Sequence, residues 1–163
     1  MISGNNLLDF VYPVEGLAAV TPSTSTPDYI SLKNVHSVLV KIHVKNGTTV
    51  TGSAITLKQA TAVAGTGEKA LPFTTYYRVA DTGAADAPPT KVTAASNTFT
   101  TNTTNSKNYY YLIPVSPSML DSDGGFDCLR AGTGDAVNTT VVVEYLVRPL
   151  LGGVNNMPSF IID

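Results

Sequence analysis

The stretch from His36 to Gln59 constrains the fold more than any other part of the chain. Val38, Val40, Ile42 and Val44 recur at every second position, with Lys41 and His43 between them and Ser37 and Lys45 flanking. Side chains alternate across a β-sheet, so this spacing predicts a strand with one dry face and one wetter face. Asn46-Gly47 follows, and Thr48–Gln59 resumes a strand-like pattern. Asn-Gly suits a tight type I′ turn, whose two central residues need positive φ. The expectation is a β-hairpin pairing 36–45 with 48–59.

Further strand signals follow in series. Asp28–Lys33 is short. In Phe73–Ala80 the pattern sets Phe73, Tyr77 and Val79 against Thr74, Tyr76 and Arg78. Asn97–Thr104 is Thr-rich, with Phe99 as its apolar anchor. Tyr109, Tyr111, Ile113 and Val115 alternate, as do Val141, Val143, Tyr145 and Val147 within Asn138–Arg148. The other face of that last strand carries Val142, Glu144 and Leu146, so it reads as covered on both sides. Phe126–Arg130 is again short. About eight strands separated by Gly, Pro, Asn and Asp clusters, with almost no helical periodicity, predict an all-β fold. The expected form is an antiparallel two-sheet sandwich, of which a jelly roll is one arrangement, with extended terminal arms. The predicted divisions are an N-terminal arm and linker over 1–27, the sandwich over 28–148 and a C-terminal tail over 149–163. Two longer connections, Ala60–Leu71 and Asp81–Thr90, are candidates for partner contacts.

The chain has 163 residues, suited to one domain with a real core. Hydrophobic residues make up 43% but charged ones only 13%, about half the usual share. Polarity comes instead from Thr, Ser and Asn, as in Thr100–Ser106. Such a surface packs against another chain with few charges to desolvate. The net charge is −2 and the basic residues are scattered, so nothing here resembles a nucleic-acid interface. No apolar run is long enough to span a membrane, and Met1–Val14 does not read as a signal peptide. The one cysteine, Cys128, reads as a small buried hydrophobe in a chain that folds in a reducing cytoplasm.

Motifs for chemistry are weak. His36 and His43 are seven residues apart on one predicted strand, which sets them on opposite faces and prevents joint metal ligation. Asp121-Ser122-Asp123-Gly124-Gly125 with Asp127 partly matches a calcium loop but lacks the closing Glu, so an Asp/Gly turn is the plainer reading. Ala64–Lys69 lacks phosphate-loop spacing. Asn46, Asn102 and Asn138 head glycosylation sequons that a Thr-rich chain produces by chance. Tyr109-Tyr110-Tyr111 could stack on sugars, but alternation divides the three between the two sheet faces. The expectation is a protein without catalysis, metal or cofactor.

Three blocks carry a family resemblance. They are Asp28-Tyr-Ile-Ser-Leu-Lys-Asn34, Thr56-Leu-Lys-Gln-Ala-Thr-Ala-Val-Ala-Gly-Thr-Gly-Glu-Lys-Ala-Leu71 and Gly125-Phe-Asp-Cys-Leu-Arg130. In wording and order they resemble small virion proteins of tailed bacteriophages, of the capsid decoration or cement type. The resemblance covers most of 28–148. It implies a β-sandwich on the capsid exterior that bridges capsomers, with the major capsid protein and sister copies as partners, after synthesis in the host cytoplasm. It carries no catalytic residues. The alternatives are a tail or head-fibre module that recognises host-surface carbohydrate and an enzyme with a non-local site. The terminal segments lie outside the resemblance. Their apolar residues, Leu7, Leu8, Phe10 and Val11 at one end and Phe160, Ile161 and Ile162 at the other, are the candidate interface between chains.

Overall fold

A computed structural model describes residues 7–83 and 87–150. In chain order the strands are β1 (Tyr12–Val20), β2 (Ile30–Ser31), β3 (Val35–Asn46), β4 (Ala54–Ala60), β5 (Lys69–Ala70), β6 (Thr75–Ala80), β7 (Thr90–Thr93), β8 (Thr98–Thr100), β9 (Asn108–Val115), β10 (Cys128–Thr133) and β11 (Thr139–Pro149). Short 3₁₀ turns lie at Leu7–Asp9 and Pro117–Met119. One sheet has the order β1-β11-β3-β9-β6-β7, and the other β2-β10-β4-β5, with β8 also paired to β4. Every strand pairing is antiparallel. The two sheets pack face to face, so the expected all-β sandwich is the observed architecture.

Three central strands bury matched rows. Val44 lies between Val141 and Tyr109, Ile42 between Val143 and Tyr111, Val40 between Tyr145 and Ile113, and Val38 between Val147 and Val115. All twelve side chains are buried. Period-two alternation on three neighbouring strands builds one continuous apolar face, and Ile55, Leu57, Leu129 and Ala131 meet it from the second sheet. Tyr145 also joins the sheets through polar contacts. Its hydroxyl accepts the Ala131 N–H at 3.1 Å and donates to the Asp28 carbonyl at 2.9 Å. Gly16 makes room for that ring, since a Cβ there would lie 2.3 Å from its Cε2 carbon.

The expected hairpin does not form. β3 lies between β11 and β9, whereas β4 belongs to the other sheet and pairs with β10, β8 and β5. Residues 47–53 carry the chain across the sandwich. Alternation reports which face is buried, not which strand lies alongside. Asn46 is buried and its side-chain amide donates to the carbonyls of Asn102 and Thr104, at 2.8 and 3.0 Å. The Gly47 N–H donates to Asn138 at 2.8 Å, and the positive φ falls on Thr49. The Asn-Gly pair therefore ties a crossover to two other loops.

The sandwich also begins earlier than Asp28. Tyr12–Val20 pairs with β11 as an edge strand, and Tyr12 and Leu17 reach the core. Register shifts between Glu15 and Leu17 and between Leu17 and Val20 break the alternation that would have marked this strand. Leu7–Asp9, ahead of this strand, forms a 3₁₀ turn. In β6 the buried ring is Tyr76, and Tyr77 stands half-exposed opposite Leu112. Phe73 is buried too, but it precedes the strand, so its parity does not carry into β6. A register shift opposite Pro149 likewise turns His36 out to solvent, so parity does not hide it in the core.

Candidate docking surface

Among the described residues, all but one of the exposed large hydrophobic side chains gather at one end of the sandwich. Leu7 is 71% exposed, Leu8 55% and Phe10 48%. Their turn is closed by the N–H groups of Phe10 and Val11, which both donate to the Leu7 carbonyl, at 3.0 and 2.9 Å. Leu7 and Val11 line a groove of about 550 Å³. Leu39 of β3, Leu146 of β11, Pro114 of β9 and Met119 line it as well. Met119 is held out by the 3₁₀ turn, whose cap is Ser116 and whose Met119 N–H donates to the Ser116 carbonyl at 2.9 Å. Arg148 is the one charged side chain lining the groove.

Leu150, also exposed, lies two residues beyond Arg148. Of the exposed large hydrophobic residues among the described ones, only Val137 stands apart in sequence from these segments. The structure thus brings Leu7, Leu8, Phe10 and Val11 together on one turn. Phe160, Ile161 and Ile162 lie outside the described residues. Sequence reasoning missed Met119, Leu39, Pro114 and Leu146 as parts of this surface. The available signal was the leucine on the nominally wet face of β3 and of β11.

A second cluster is polar. Tyr29 donates to a Glu68 carboxylate oxygen at 2.6 Å, Lys58 and Arg130 pair with the same carboxylate, and the Arg130 guanidinium lies 5.0 Å from the Tyr29 ring centre. Burial alone would raise the Glu68 pKa. The hydrogen bonds from Lys58 and Tyr29 and the charges of Arg130 and Lys58 overcome it and pull the group down to about 2. Burial, with the bond to Glu68, pushes Tyr29 up to about 12. Both groups are locked in one protonation state at neutral pH, and the cluster fastens the β4–β5 loop to β10.

The remaining reactive side chains are similarly engaged. Burial and then the Asp127 hydrogen bond and charge push the Cys128 thiol up to about 12, which leaves it a poor nucleophile. Burial and the charge of Lys41 lower the His43 pKa, and its ring packs against Tyr110 at 4.7 Å. Asp121 pairs with Lys69 and accepts the Gly124 N–H at 3.0 Å, so the calcium-like segment spends its first carboxylate within its own turn. Among the described residues no group of three or more His, Cys, Asp or Glu side chains is placed to hold a metal. Tyr109 and Tyr111 are buried, with only Tyr110 on the outer face.

No family model matches the chain, and no match was found among curated proteins or solved structures.

Proposed function

We propose that this chain is a non-enzymatic structural protein of a tailed-phage virion, a decoration or cement protein that binds the outer capsid shell and stabilises contacts between capsomers. The observation that carries this reading is the concentration of exposed apolar side chains at one end of a rigid, weakly charged sandwich. A surface of this kind is built for a partner protein. Fully burying a Leu or Phe side chain contributes about 1.5–3 kcal/mol. Half-exposed groups such as Leu8 and Phe10 contribute a fraction of that each, so a single docked copy binds modestly. Many copies on a repeating shell, or several contacts per copy, turn modest contacts into firm retention. The partners are the major capsid protein and sister copies, and the place of work is the capsid exterior. No described helix is long and apolar enough to cross a membrane.

The test uses purified protein and capsid shells lacking it. Wild-type protein should co-sediment with the shells and raise their resistance to heat or shear. Phe10→Asp, at an exposed site, should keep the fold and lose shell binding. Binding to glycans without binding to shells would favour the fibre-module reading.

A further inference from the structure

We infer that the groove between Leu7 and Met119 receives the 151–163 segment of a second copy of this chain, so that copies link tail into groove. The inference goes beyond the capsid reading and is tested without capsids. Three observations carry it. First, the groove is apolar with one charge at its rim, Arg148. Residues 151–163 are its complement: Leu151, Val154, Met157, Phe160, Ile161 and Ile162 are apolar, and Asp163 is the one charged residue. Pairing Asp163 with Arg148 would set the direction in which the segment lies.

Second, the reach is sufficient. Thirteen residues at about 3.3 Å each span up to about 43 Å, enough to cross to a neighbouring domain. Third, the last described residues run away from their own groove. Pro149 pairs with Val35, and the Leu150 N–H donates to the Asn34 carbonyl at 2.8 Å. As far as Leu150 the chain therefore runs on alongside Val35 and Asn34, away from Leu146 and Leu39.

Cross-linking separates the possibilities. Ser37 lines the groove and Ser159 lies within the segment, so Ser37→Cys and Ser159→Cys are near-isosteric handles. Buried Cys128 makes the wild-type chain a suitable blank. Mixing the two single variants with a flexible bismaleimide should give a covalent dimer, and adding Leu39→Asp to the Ser37→Cys chain should abolish it. Deleting 152–163 should leave the circular dichroism and melting temperature unchanged while removing concentration-dependent association in sedimentation velocity. If a Ser37→Cys/Ser159→Cys chain instead cross-links internally at high dilution, the segment occupies its own groove and the inference is overturned. No cross-link in either format, or unchanged association after the deletion, overturns it as well. Failure of shell binding with the dimer intact would count against the capsid reading alone.

Discussion

Tyr145→Phe removes one oxygen from the centre of the sandwich and should cost far more than its size implies. The side chain is fully buried, and its hydroxyl both accepts from the Ala131 amide of the opposite sheet and donates to the Asp28 carbonyl. Phenylalanine fits the same space but leaves the buried Ala131 N–H without its partner and strips the Asp28 carbonyl of its donor. Orphaning a buried donor costs about 1–3 kcal/mol and losing the second bond about 1 more, so the expected loss is about 2–4 kcal/mol. Urea denaturation at neutral pH should show a lower midpoint with an unchanged slope, because the surface exposed on unfolding is the same. Tyr110→Phe is the control. That ring lies half-exposed on the outer face, and its substitution should change stability by less than about 0.5 kcal/mol. If Tyr145→Phe is as mild as Tyr110→Phe, the hydroxyl does not bridge the two sheets.

Val40→Asp places a charge at a fully buried position in the middle of three strands, and should destabilise by several kcal/mol or prevent folding, as read by circular dichroism. Asn46→Ala should cost about 1–3 kcal/mol in the same denaturation assay, because it strips the Asn102 and Thr104 carbonyls of their donor. Glu68 makes stability depend on acid. Its pKa falls from 4.5 to about 2 on folding, so its contribution is complete above about pH 4.5 and is lost as the pH drops towards 2. Allowing for solvent screening of this partly exposed group, the loss is about 1–2 kcal/mol. Glu68→Gln should flatten that part of the stability–pH profile, and an unchanged profile would remove Glu68 from the account.

The core was legible because its strands alternate without interruption. Val38–Val44, Tyr109–Val115 and Val141–Val147 fall on the inner face as period two requires. What alternation lacks is partner choice. Asn46-Gly47 has the chemistry of a hairpin turn, yet its polar groups find better use in Asn102, Thr104 and Asn138, residues brought near only by the finished fold. β1 escaped notice because its register shifts erase the period, and β5 and β7 because two to four residues are too few to show one. Part of the docking surface was visible as the apolar turn Leu7–Val11. Its groove was not, since Leu39, Pro114, Met119 and Leu146 come from four separate segments and meet only in three dimensions. Glu68 was equally hidden in a glycine-rich loop, where nothing nearby in sequence announces Tyr29 or Arg130.

The most direct measurement of the central claim is an electron-microscopy reconstruction of capsid shells assembled with and without this protein. Added density is expected on the outside of the shell, at junctions between capsomers, fitted by the two-sheet sandwich with Leu7, Phe10 and Met119 turned towards a neighbouring subunit. Shells that look the same in both preparations, or density confined to a tail tip, would contradict it.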